Sequence, residues 1–476
     1  MPATPLRRPP TPTTAGRPAQ LTPRVGRVRV AAARPQESTS LWKDPFRIGI
    51  LALLIDTIAK ATGEIPAAAA IRPGLLLFGF CAFYAVLKPA KAVNMDVFRQ
   101  RVPRLIIAQA ALACASALFG ISLGHSANYI ITIYWKTLAV ALLLIISLRT
   151  MSDVRHMVWA TAVGGVLLSF TSVFIDHISK TRSNAVYDAN DIGAIVVMTL
   201  PLVILAAQMS KGVRRLAWLG GLVLIAMTIV VSDSRGAFIG LLAVGLALLL
   251  FLPGVSMVKR ILYLGAITTV LMLFAPAGYW DSMKSIIVNP TADYNWDAGQ
   301  GRRQVAQRGM GYMFEHPIFG LGIDNFAMQE AMYSDYAKET LASGHGVKWS
   351  APHNSWVQAG SETGIPGLIL WGALVVGSSV QLIGLRRRMP KAWATSGTID
   401  ERFAYLATLY VPIALVGFVT SATFVSFAWS DQSYVIPTLA MGIQMCCERQ
   451  FGLSNRSSPQ VQRTARGARV ARPSTA

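Results

Sequence analysis

Twelve apolar stretches, each close to the length of a membrane-crossing helix, constrain this chain more than any single motif does. A bilayer's hydrocarbon core is about 30 Å thick and takes about 20 apolar residues in helix. The stretches occupy 46–61, 71–87, 105–123, 129–148, 157–175, 192–208, 216–231, 237–252, 261–275, 365–385, 404–427 and 433–447. The ninth and the last are short enough to be re-entrant. The expected fold is an all-α integral membrane protein of about twelve transmembrane helices. Of the 476 residues, 53% are hydrophobic and only 14% charged, too apolar a balance for an ordinary soluble chain.

A formal charge of +21 invites a nucleic-acid reading. The placement of the cations argues against it, because they lie in the tails and in short loops between apolar runs, where they set topology. Lys88, Lys91, Arg99, Arg101 and Arg104 follow the second run, Arg149 and Arg155 the fourth, and Lys211, Arg214 and Arg215 the sixth. Lys259 and Arg260 follow the eighth, and Arg386, Arg387, Arg388, Lys391 and Arg402 the tenth. The alternate short loops are nearly bare of positive charge, apart from Lys180, Arg182 and Arg235. Both termini are therefore expected in the cytoplasm.

This orientation divides the chain into a disordered basic cytoplasmic tail (1–43), transmembrane helices 1–9 (44–275), an extracytoplasmic loop with surface helices (276–352), transmembrane helices 10–12 (353–447) and a second disordered basic cytoplasmic tail (448–476). The outer loop is longer than ordinary connections, as functional loops often are. Within it, 299–314 has helical patterning and is stopped by Pro317 and the Gly320–Gly322 turn. Cys81 and Cys114 lie in apolar runs, and Cys446 and Cys447 adjoin the basic tail, so no disulfide framework is expected.

Three ordered motifs fall on the outer face. Ser232-Asp233-Ser234-Arg235-Gly236 opens the eighth run. Gly301-Arg302 is followed, fourteen residues after the arginine, by His316-Pro317-Ile318-Phe319-Gly320-Leu321-Gly322. Pro352-His353-Asn354-Ser355 precedes Glu362-Thr363-Gly364-Ile365-Pro366-Gly367. A weaker fourth, Asp188-Ala189-Asn190-Asp191, precedes the sixth run. In order and spacing this set resembles the family of O-antigen ligases and O-antigen polymerases, although the tryptophan usual between the two parts of the second motif is missing.

The resemblance implies a helical, GT-C-like glycosyltransferase in the bacterial inner membrane with its active face periplasmic. It implies transfer of a glycan from undecaprenyl pyrophosphate to an acceptor hydroxyl, that of the lipid A core for a ligase, with neither metal nor cofactor. By this likeness Arg235 and Arg302 bind the donor pyrophosphate. His353 is the catalytic base. Arg303, Arg308, Asn354, Glu362 and Asn190 are supporting candidates.

The side-chain chemistry agrees. A prenyl pyrophosphate is already a good leaving group, so the enzyme must mainly orient the reactants and neutralise the departing anion. Arginine stays charged and forks onto paired oxygens. A neutral imidazole takes a hydroxyl proton near neutral pH. The alternatives are an interfacial Arg235 paired with Asp233, an Arg302 on a headgroup-binding helix, and a His353 that only starts a helix. No Asp-x-Asp pair occurs outside, and the outer histidines lack ligand spacing, which speaks against a metal-dependent transferase. A polymerase, using a second lipid-linked glycan as acceptor, shares the motifs. A transporter of lipid-linked sugar predicts inverted repeats, and none is evident.

Overall fold

Each of the twelve apolar runs falls at least in large part on a helix in the computed structural model, the eleventh running on past its helix into a turn over 422–427; the structure describes residues 41–60, 70–175, 187–252, 255–275, 278–284, 286, 301–347 and 349–453. Most of both basic tails, Lys180 and Arg182, and 287–300 of the long loop fall outside these residues. The long helices before that loop are α1 (Pro45–Ala59), α2 (Pro73–Leu87), α3 (Arg101–Phe119), α4 (Leu123–Ser147), α5 (Met151–Ile175), α6 (Ala189–Met209), α7 (Gly212–Val231), α8 (Arg235–Phe251) and α9 (Met257–Phe274). The loop holds α10 (Tyr279–Lys284), α11 (Arg302–Glu315) and α12 (Asp335–Ala342). Then come α13 (Ser355–Arg386), α14 (Ile399–Ser421) and α15 (Gln432–Phe451).

Eight of these, α3 to α7, α9, α13 and α14, are long and apolar enough to cross a membrane. The helices α2 and α8 are apolar but shorter. At 15 residues, α1 and α2 span only about 22 Å of rise, short of a full hydrocarbon core. α6 and α14 make the centre, with 83% of each apolar window buried, whereas α9 is peripheral at 6%.

The basic loops gather at one end of the bundle. There Asp153 closes a capping box with Thr150 at the start of α5 and also pairs with Arg47 of α1. Arg155 pairs with Asp400 of α14, and Arg449 reaches Asp96 at 3.0 Å. The loop before α3 is tied to the end of α4, where the Asn94 N–H donates to the Ile146 carbonyl at 2.8 Å.

At the opposite end the segment 317–325 is wedged between the α3–α4 turn and a break in α13. Pro366 has no N–H to offer the Glu362 carbonyl one turn back. That carbonyl instead accepts from Ser116 Oγ at 2.6 Å and from the Gly322 N–H at 3.1 Å. The Ile365 N–H turns to Pro317 (2.9 Å), and the Leu321 N–H takes the vacated Ser361 carbonyl (2.8 Å). Gly364 sits in this break at φ +71°, and a Cβ there would stand 2.6 Å from the Ile318 carbonyl carbon. The break thus exchanges helix bonds for bonds to the wedge, so its buried backbone groups stay paired.

Candidate active site at the converging helix ends

Asp188 starts α6 by accepting the N–H groups of Asn190 (2.7 Å) and Asp191 (2.9 Å) on Oδ1, while Asp191 answers the Asp188 N–H. Ser234 caps α8 through the Ala237 N–H at 3.3 Å, and its hydroxyl donates to Asn190 Oδ1 at 3.0 Å. That bond fastens the first turn of α6 to the first turn of α8. Gly193 permits the approach, since a Cβ there would lie 2.6 Å from that of Ala237.

Arg235 is the first residue of α8 and Arg302 the first of α11, and both are half-buried. The charge of Arg302 acts on Asp191 in the first turn of α6. The starts of α6 and α8 are therefore joined, and the start of α11 lies within electrostatic reach of them. Behind Arg235, Ser282 of α10 donates to Asp233 Oδ2 at 3.3 Å. Burial, helped by the Asp233 charge, pushes the Tyr279 hydroxyl up to about 12.

His353 stands just before α13 with φ +45°, a left-handed conformation uncommon outside glycine. Its N–H donates to Ser426 Oγ at 3.0 Å. The neighbouring Asn354 caps α13, its Oδ1 accepting from Trp356 (2.9 Å) and Val357 (3.2 Å). Gly236, next to Arg235, abuts Phe424, two residues before Ser426, with 2.7 Å between an added Cβ and the Phe424 Cβ. His353 and the start of α8 thus flank one turn.

The remaining candidates diverge. Arg303 is exposed. Arg308 forks onto Glu330, itself 2% exposed, with Nε to Oε1 at 3.0 Å and Nη2 to Oε2 at 2.5 Å, and it stacks over Tyr336. Tyr312 donates to the same carboxylate at 2.6 Å. Glu362 is buried and accepts from Trp429 Nε1 (2.6 Å) and the Asp324 N–H (3.0 Å) on Oε2. His316 is exposed in the turn after α11.

Two pairs at this end escaped the motifs. His125 Nε2 lies 3.1 Å from Asp324 Oδ2, and Lys60 Nζ lies 2.9 Å from Asp431 Oδ2. Burial raises the Asp324 carboxyl above its usual range, against the opposing charge of His125. Each partner pair is far apart in sequence, so neither leaves a local pattern. The one signal was a charge terminating an apolar run at Lys60 and a histidine opening one at His125.

Chemically, Arg235 and Arg302 each open a helix, and an arginine at a helix N-terminus suits an anion, while the α6 start is already capped by the Asp188 carboxylate. An imidazole borders the same turn. Among the described residues no group of three or more His, Cys, Asp or Glu side chains forms a metal-ligating cluster. No curated protein matches the chain. Residues 220–372 match the family model described as O-antigen ligase, and this stretch holds Arg235, Arg302, His353, Asn354 and Glu362. Across this region, about a third of the chain, the protein is similar to the O-antigen ligase family.

Proposed function

We propose that the protein is an O-antigen ligase-like glycosyltransferase moving a glycan from undecaprenyl pyrophosphate to a lipid A core hydroxyl at the periplasmic face of the inner membrane. The family match supports glycosyl transfer of the ligase or polymerase type. The observation that carries the site assignment is the bonded pair of α6 and α8 starts with the α11 start within electrostatic reach of them, Arg235 and Arg302 each at the first position of its helix. In this reading all twelve long helices span the membrane in a GT-C-like arrangement, both termini are cytoplasmic and 276–352 lies outside.

In the step itself, the acceptor oxygen attacks the anomeric carbon as the carbon–oxygen bond to the pyrophosphate breaks. His353 takes the hydroxyl proton, and undecaprenyl pyrophosphate leaves as an anion neutralised by Arg235 and Arg302. Both charges are supplied by protein groups, so the step runs without a metal. The test is transfer by purified protein in liposomes, offered an undecaprenyl pyrophosphate glycan and either lipid A core or more lipid-linked glycan. Ligated lipid A core in the presence of chelator is expected. Chain lengthening without the core acceptor marks a polymerase, and no transfer with either acceptor contradicts the reading.

A further inference from the structure

We infer that Glu362 is a positioning residue that holds the turn supporting His353 through its bond to Trp429, an inference that rests on the transferase reading above. The turn 422–430 lies along the first two turns of α13. The Ser355 N–H donates to the Ala422 carbonyl (2.8 Å), Ser355 Oγ donates to the Val425 carbonyl (2.8 Å), and the Phe427 N–H donates to Ser355 Oγ (2.9 Å). The Ala428 N–H donates to Gln358 Oε1 at 3.0 Å. At the near end Ser426 receives the His353 N–H, and at the far end Trp429 donates its indole N–H to Glu362. His353 keeps its left-handed φ beside that turn, so the turn's seating sets where the imidazole starts.

Glu362 anchors the opposite side as well. The same Oε2 accepts the Asp324 N–H, and Asp324 meets His125 of α4 through both its carbonyl and its carboxylate, each at 3.1 Å. One buried oxygen thus joins the wedge 317–325 to the turn 422–430. The donors to Oε2 are an indole and a backbone amide, and the Phe326 amide also bonds the carboxylate; all three need an acceptor oxygen and not a negative charge. A glutamine amide oxygen has the same capacity.

The experiment compares Glu362→Ala, Glu362→Gln and Trp429→Phe in full-length protein in liposomes, reading kcat and KM for the lipid-linked donor together with hydrogen exchange of the 422–430 segment. Trp429→Phe keeps the ring and removes the N–H. It and Glu362→Ala are expected to lower kcat about tenfold to a hundredfold, as a small misplacement of a reacting group does, with donor KM little changed and faster exchange at 422–430. Glu362→Gln is expected to recover most of both losses. Should Glu362→Ala fail to fold, Trp429→Phe carries the test. Glutamine as damaging as alanine, or wild-type turnover in Trp429→Phe, overturns the inference. Wild-type protein without transfer refutes the transferase reading alone. The exchange data then decide, since protection lost in alanine and restored in glutamine supports the anchor and unchanged protection overturns it.

Discussion

The two ends of the bundle are built differently. At the basic end, carboxylates at helix starts answer cations, as Asp153 does for Arg47 and Asp400 for Arg155. Capping boxes at Thr150 and Thr398 open α5 and α14 there. At the other end lie all the non-glycine residues with positive φ among the described residues: Lys60, Arg72, Asp233, Asp324 and His353. Each such conformation costs about 1–3 kcal/mol and persists only where its surroundings enforce it. One end is relaxed. The other holds the strained residues, of which His353 is a site candidate and Asp233 lies two residues before Arg235, as functional sites do.

The sharpest way to break this contrast is His353→Ala, which should lower transfer by about 10²–10⁴-fold while donor binding persists. Wild-type transfer should also decline on acidification as the imidazole gains a proton and stops accepting one. Steady-state rates across pH check both, and transfer within a few-fold of wild type removes the base. Next, Arg235→Ala and Arg302→Ala should each cost about a hundredfold in rate at matched membrane levels, with lysine restoring only part, because a point charge lacks the planar fork. Full activity in both alanine variants would make them interfacial cations.

Arg308 sharpens the comparison from the structural side. Removing it strands the buried Glu330 carboxylate and should cost about 3 kcal/mol of stability, seen as a lower thermal midpoint. Arg308→Met with Glu330→Met should recover much of that loss. An Arg308→Ala protein as stable as wild type contradicts the assignment.

The smallest expected effect concerns Asp324. Burial raises its folded-state carboxyl, so its stability contribution is fully present below the unfolded value and is lost as pH rises through the folded value. Asp324→Asn should flatten that part of the stability profile. An unchanged profile would contradict the raised carboxyl.

Helix existence was legible because apolar length is a local property, and all twelve runs fell at least in large part on helices. The start of α13 was not. Hydropathy begins at Ile365, yet Asn354 caps a helix that opens at Ser355, and the polar first turns are held by bonds to 422–428. The arginine and histidine motifs could be read directly from the sequence. The links among them could not, since Ser234 meets Asn190 across 44 residues and Asp324 meets His125 across 199. In the sequence Arg308 looked interchangeable with Arg303 until Glu330 accounted for it.

The central claim is that Arg235 and Arg302 hold the donor's pyrophosphate, and binding tests it without requiring turnover. Undecaprenyl pyrophosphate titrated into purified wild-type, His353→Ala and Arg235→Ala/Arg302→Ala protein in nanodiscs gives the three affinities directly. The account predicts near-equal affinity for wild type and His353→Ala, and a loss of at least about a hundredfold in the double arginine variant. Wild-type affinity in that double variant would contradict it.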